Sequence, residues 1–232
     1  MPHASLSGII ERLERHYGPP RREPPAGPFE LILWEIVAYL ADDDTRRAAF
    51  LALKAKTGCD PRRIVATPVS ELAKIMRLGG TIAFDERAGR LQLAARLVLE
   101  EFGGDLAAVL RLPLPKAKKA LMKFPMTGEP GAEKILLLCG SYPVLALDSN
   151  GLRVMQRLGF GSPQKSYAAA YRAVREAVLE EPAAETGFLQ NAHRLLRVHG
   201  QRLCTRTHPA CADCHLNSLC PFPGKRHPEI CD

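Results

Sequence analysis

Leu6, Ile9, Ile10 and Leu13 fall at helical spacing, so the chain opens on an amphipathic helix. Beyond it, apolar positions recur at the same period in blocks punctuated by Gly and Pro. They predict helices over about 29–41, 45–57, 68–78, 86–102, 105–111, 116–124, 129–139, 149–159, 163–180 and 185–200. Ser162-Pro163 supplies a cap followed by proline at the first helical position, and Gly79-Gly80 and Gly103-Gly104 supply stops. No run alternates with the period of a strand, so the expected fold class is all-α. The stretch GPPRREPPAGP, residues 18–28, holds five prolines and reads as a stiff connector after the first helix.

After residue 200 this texture is lost. CTRTHPACADCHLNSLCPFPGKRHPEICD is short of apolar residues and rich in Cys, His and Pro, and such a segment does not order itself by burial alone. Cys204, Cys211, Cys214 and Cys220 are spaced C-x6-C-x2-C-x5-C, and in a reducing compartment four thiolates so close in sequence converge on a metal centre rather than on disulfides. Zinc and a [4Fe-4S] cluster both accept four sulfurs. Cys59, Cys139 and Cys231 lack such spacing and read as packing or incidental thiols. His208 and His215 read as solvated or hydrogen-bonded side chains, not ligands.

Composition narrows this little. At 232 residues, 46% hydrophobic and 25% charged, the chain has the make-up of a soluble globular protein of one domain or two small ones. The charge of +7 suits a polyanionic partner but equally serves solubility. The amino terminus lacks the basic region and unbroken apolar core of a secretory signal, and no apolar run is long enough to span a membrane. The expectation is a cytoplasmic protein working on the nucleoid.

KAKKALMKF (116–124) and EPGAEKILLLCG (129–140) flank PMTG, which reads as helix, tight turn, helix. At the start of the second helix, unpaired backbone N–H groups and the positive end of the dipole favour a phosphate, and Lys116, Lys118, Lys119 and Lys123 add charge. Alone, the same stretch is also a plain helical hairpin with a solvated basic face. Two carboxylates stand out. Asp148 follows an apolar run and opens the next helix, the place of an N-cap accepting N–H bonds near Gly151. Glu35 is the only charged residue between Leu31 and Ala41, in a run apolar on every face. Burying a carboxylate there is costly unless it is paired, protonated or put to use, and desolvation moves it toward the range of a general acid. A buried Glu paired with an arginine is the alternative.

The cysteine spacing, preceded by His199-Gly200, resembles the iron–sulfur loop of the endonuclease III family of DNA glycosylases. Residues 116–140 resemble the helix-hairpin-helix of the same superfamily, whose turn usually reads Leu-Pro-Gly-Val-Gly. Here Phe124-Pro125-Met126-Thr127-Gly128 puts Met126 at the first glycine, and if that position needs a positive φ the methionine is strained. The lyase members carry a nucleophilic lysine two residues past the second glycine, where this chain has Pro130. Lys134, one turn on, is the alternative nucleophile if the pocket is displaced, or else a lysine snorkelling from a buried helix. Asp148-Ser149-Asn150 is nearer to the Asp-Gly-Asn of the adenine glycosylases than to the Asp-Thr-His of endonuclease III. The resemblance gives Asp148 the role of stabilising positive charge on the deoxyribose or steering water onto C1′. Aligned from the shared Pro-aromatic start, Glu35 falls on the glutamate of the adenine-specific and thymine-mismatch relatives that protonates the departing base or handles water. Those relatives follow it with polar readers of the DNA; this chain has Ala38-Tyr39-Leu40-Ala41, so their substrate does not carry over.

The resemblance runs from Pro28 through Cys220. It implies a six-helix barrel domain over 30–142 and a cluster domain from 1–29 and 143–232, with a [4Fe-4S] loop at 204–220 and an interdomain cleft for an extruded nucleotide. The implied protein is a monomeric, monofunctional DNA N-glycosylase of base-excision repair acting on double-stranded DNA with a damaged or mismatched base. Met126, Gly128, Gly131, Lys116, Lys119, Lys123, Arg202 and Arg206 would contact the backbone. The alternatives are a bifunctional glycosylase/lyase using Lys134, and a non-catalytic DNA-binding or redox-sensing iron–sulfur protein, against which the survival of both acids argues. The lack of a carboxy-terminal extension tells against adenine opposite oxidised guanine as the substrate.

Overall fold

A computed structural model describes residues 5–20, 25–179 and 185–222. Cys231, residue 180 and residues 21–24 of the proline-rich connector lie outside them. The helices run α1 Leu6–Tyr17, α2 Pro28–Ile36, α3 Asp43–Thr57, α4 Pro61–Ala66, α5 Val69–Leu78, α6 Phe84–Phe102, α7 Leu114–Leu121, α8 Glu129–Leu138, α9 Ser149–Arg157, α10 Tyr167–Leu179 and α11 Thr186–Arg202. Short 3-10 turns lie at Ala107–Arg111 and Asn217–Leu219, and the described residues contain no strand. No helix among them is long and apolar enough to cross a membrane.

Contacts divide the chain into two compact units, Met1–Arg21 with Tyr142–Asp232, and Arg22–Ser141. In the first, α1 packs on α11, and α9 packs on both α11 and α10. Ser5 caps α1 by accepting from the Gly8 amide, and Leu6, Ile9, Ile10 and Leu13 form its buried stripe. Leu152, Val154 and Met155 of α9 and Leu189, Leu195 and Leu196 of α11 are all buried, and the two helices pack on each other. At Gly200 a Cβ would come 2.7 Å from the Asn150 carbonyl oxygen, so only glycine lets the end of α11 approach the start of α9 this closely.

In the second unit α6 is the central helix, packed against α2, α4 and α5. Arg87 of α6 is buried and donates to the carbonyls of Val37, Met76, Gly79, Gly80 and Ile82, tying the ends of α2 and α5 together. Several expectations are corrected. The 29–41 helix stops at Ile36, because Val37 gives its carbonyl to Arg87. The chain then turns outward, with Tyr39 exposed, and Leu40 80% exposed at φ 51°. The block is therefore not buried through to Ala41. Ser162-Pro163 does not open a helix: α10 starts at Tyr167, where Ser166 Oγ accepts from the Ala169 amide at 3.2 Å. Within 105–111 only Ala107–Arg111 is helical, and it is a 3-10 turn, not an α-helix. Helix α4, begun by the Asp60 cap and Pro61, has too few residues for its period to stand out in the sequence.

Candidate active site and cysteine loop

The hairpin comprises α7, a turn and α8. Phe124 is buried and stacks on Phe102 with ring centroids 5.6 Å apart, and the Thr127 amide donates to the Phe124 carbonyl at 3.2 Å. Met126 at the turn has φ 62° and an exposed side chain, so the position does require the left-handed conformation that methionine resists. Gly128 is the N-cap of α8. In the first turn Glu129 and Gly131 keep backbone N–H donors while Pro130 between them has none. Lys118 is ion-paired with Glu129 and, at 2.9 Å, with Glu133, and Lys123 is paired with Glu101. Lys116 and Lys119 are exposed on α7.

Helix α8 also packs on α2, and this contact brings Lys134 to Glu35. Nζ lies 2.7 Å from Oε2, with the side chains 12% and 28% exposed respectively. Glu35 is therefore half-buried, with Lys134 as an ion-pair partner. Nearby, Arg46 of α3 donates to the Trp34 carbonyl at 2.8 Å.

In the other unit Asp148 is the N-cap of α9. Its Oδ1 accepts from the amides of Asn150 at 3.0 Å and Gly151 at 2.8 Å, and its Oδ2 from Arg197 Nη1 at 2.6 Å. The carboxylate side chain is 13% exposed. Two amides and a guanidinium stabilise the anion and fix its direction. Such a group holds negative charge in place; its oxygens are already engaged as acceptors. Arg197 is the member of this arrangement that sequence reasoning missed, since nothing in α11 marks it apart from other surface-type charges.

All four cysteines of the 204–220 loop line one cavity, whose walls include Val154, Leu158, Leu203 and Leu216. Among the described residues no three Cys, His, Asp or Glu side chains are gathered tightly enough to hold a single ion. The Cys214 thiol is pushed up by burial and by the neighbouring Cys204, Cys220 and Cys211, against a lowering hydrogen bond from the Leu216 amide. Cations and donors surround the sulfurs. Arg157 Nη1 lies 3.2 Å from Cys204 Sγ and 2.7 Å from the Thr205 carbonyl, and its guanidinium sits 4.3 Å from the Phe222 ring centre. His199 is buried with Nε2 3.5 Å from Cys214 Sγ and Nδ1 3.0 Å from the Tyr17 hydroxyl. Burial pushes its ring down to about 4, so it is neutral near pH 7. Arg153 donates to the carbonyls of Cys204 and Gly200 and to Asn150 Oδ1. His199-Gly200 entered the sequence pattern as part of a motif; its contacts with Tyr17 and Cys214 and the close approach to Asn150 appear only in three dimensions. Arg202 lies over the Tyr17 ring at 5.9 Å, Arg206 is exposed, and its carbonyl accepts from Arg157. His208 is exposed and His215 stacks on His16. Cys59 is buried and Cys139 half-buried.

No family model matches the chain. It is 26% identical over 203 residues to endonuclease III of Bacillus subtilis (strain 168), covering 87% of this chain and 84% of the relative. To the thymine/uracil-DNA glycosylase of Methanothermobacter thermautotrophicus it is 26% identical over 162 residues, 70% of this chain and 67% of the relative. The fold is similar to that of a trapped endonuclease III–DNA covalent intermediate, with TM-score 0.75 and 21% identity over 96% of this chain and 99% of that one. Over most of its length the chain is thus similar in sequence to endonuclease III and to a thymine/uracil-DNA glycosylase, and its all-helical fold is that of the endonuclease III-like helix-hairpin-helix DNA glycosylases.

Proposed function

We propose that the protein is a monofunctional DNA N-glycosylase that hydrolyses the bond between deoxyribose and a damaged or mismatched base in double-stranded DNA. The observation that carries this reading is the Asp148 carboxylate, held as an anion by two backbone amides and Arg197 at the head of α9. As the C1′–N bond lengthens, positive charge grows on the sugar, and a fixed carboxylate lowers the energy of that state without having to reorganise. Glu35 handles the water that adds to C1′. Pro130 stands where lyase relatives carry their nucleophile and offers no amine, which favours water over Schiff-base chemistry.

The phosphate contacts fall to the Glu129 and Gly131 amides around Met126 and Gly128, to the exposed Lys116 and Lys119, and to Arg202 and Arg206. Lys123, being paired with Glu101, must exchange one anion for another. Cys204, Cys211, Cys214 and Cys220 would hold a [4Fe-4S] cluster. The fit rests on four sulfurs that line one cavity together with Val154, Leu158, Leu203 and Leu216, four thiolates being what such a cluster takes. When bound, the cluster supplies cross-linking to a segment with few apolar residues of its own. Arg157 would offset the charge of the thiolates, and the neutral His199 ring would offer Cys214 a hydrogen-bond contact.

The test is a panel of duplexes, each with one lesion or mismatch, incubated with brown, cluster-loaded protein. Strands should break only after alkali, and Asp148→Asn should cut release by about 100-fold or more; release unchanged in that variant would refute the assignment. A second reading is favoured by one distance, the 2.7 Å between Lys134 and Glu35, since a carboxylate there can take a proton from the amine and free it as a nucleophile. Borohydride would then trap a covalent DNA adduct that disappears in Lys134→Ala.

A further inference from the structure

We infer that Lys134 is a positioning residue that keeps Glu35 anionic and directed at water, so that the enzyme removes only bases able to depart without first being protonated. The inference rests on the glycosylase reading and deepens it. Its basis is the setting of the α2–α8 contact. Lys134 is the more buried partner, 12% exposed against 28% for Glu35, so it projects from within the unit toward a carboxylate that retains access to solvent. The other charged side chains on the helices packed against α2 are of both signs, with Asp43 and Asp44 in the first turn of α3. Arg46 of α3 binds the Trp34 carbonyl and Arg87 of α6 binds the Val37 carbonyl at 2.7 Å, so two more cations flank the stretch that bears Glu35. The acids of α8, Glu129 and Glu133, pair with Lys118 of α7, and Glu30 of α2 pairs with Lys54 of α3 at 2.9 Å.

An anion in this setting can accept a proton but has none to give. The paired ammonium has no lone pair with which to attack C1′. The reaction then balances in one way. The C1′–N bond breaks with its electron pair leaving on the base, water oxygen forms the C1′–O bond, and the proton shed by water passes to Glu35 and on to solvent. Two kinds of base meet the requirement: a uracil-like base, which carries the pair as an anion delocalised over its carbonyls, and an N-alkylated purine, which is cationic while attached and leaves neutral. Unmodified adenine, which needs an acid, does not.

Single-turnover release from duplexes carrying uracil, N-alkylated purine or unpaired adenine should be followed from about pH 5 to about pH 9 with native protein, Lys134→Met and Lys134→Arg. The expected profile has one rise on the acid side and then a plateau, and adenine is left untouched. In Lys134→Met the rise moves to higher pH and the neutral rate falls about tenfold or more, and Lys134→Arg restores both. The relative rates on uracil and alkylated purine say which kind of base is preferred. A rise that stays in place in Lys134→Met, a rate that falls as pH increases, release of adenine, or a borohydride-trapped adduct through Lys134 would each overturn the inference. Should native protein release nothing from any duplex, the glycosylase reading fails by itself. The carboxyl carbon resonance of Glu35, titrated in native protein and Lys134→Met, then still decides whether the lysine keeps it ionised.

Discussion

Asp148 takes two of its hydrogen bonds from the backbone of its own helix, whereas Glu35 meets Lys134 across a contact between helices far apart in sequence. The first arrangement is local and rigid: a carboxylate at an N-cap is aimed by φ and ψ, and Arg197 adds charge to a direction already set. The second depends on how α2 and α8 pack, and it leaves about a quarter of the glutamate in reach of water. A fixed anion is suited to stabilising charge, and a solvent-facing one to moving protons. The difference in how the two acids are held thus matches the difference in the work assigned to them.

The comparison can be broken most sharply by neutralising each acid in turn. Asp148→Asn keeps the cap and loses the charge, and base release should fall by about 100- to 1,000-fold, as for loss of a preorganised electrostatic group. Glu35→Gln should cost less, about 100-fold, because water can still add slowly without a base. Equal losses measured in single-turnover assays would erase the distinction.

A second effect concerns the partners. Arg197→Met strands a mostly buried carboxylate and should destabilise the protein by about 2 kcal/mol in urea unfolding, the exposure of the pair reducing the cost from that of a fully buried one. The backbone amides should nevertheless keep Asp148 in place, so activity should fall less than stability suggests. Collapse of activity with unchanged stability would mean that the arginine, not the helix, aims the acid.

A smaller gain tests the turn that leads into α8. Met126→Gly relieves a left-handed residue and should stabilise the protein by about 1 kcal/mol, raising the melting temperature by a few degrees. The least effect is on two thiols of the unit that carries Glu35. Burial pushes Cys59 up to about 12 and Cys139 up to about 11, so each is neutral below those values and thiolate appears only as pH rises toward them. Labelling by a thiol reagent near pH 8 should therefore be slow at both. Fast labelling at Cys139, next to the end of α8, would show that the helix presenting Lys134 opens readily.

What the sequence revealed divides along the same line. Asp148 was readable as a cap because the partners of a cap lie within three residues, and the α1 stripe was readable because one face of a helix repeats. Lys134 as the partner of Glu35, Arg197 as the partner of Asp148, and the outward turn at Leu40 were not. Each depends on a contact across many residues: Arg197 lies 49 residues from Asp148, and the arginine that anchors the end of α2 lies 50 from Val37. The requirement for positive φ at Met126 was readable as a condition, because the turn pattern names the position that needs it. The cysteine loop was readable as a chemical set, though not the cavity it lines or the cations around it.

One guanidinium gives the tail of the chain a stake in the reaction. Arg153 grips the first cysteine's carbonyl, the Gly200 carbonyl and the Asn150 side chain, two residues from Asp148. Disorder of the cysteine loop would therefore loosen the same clasp that steadies the acid, and loss of the proposed cluster would be felt first as poor aim of Asp148.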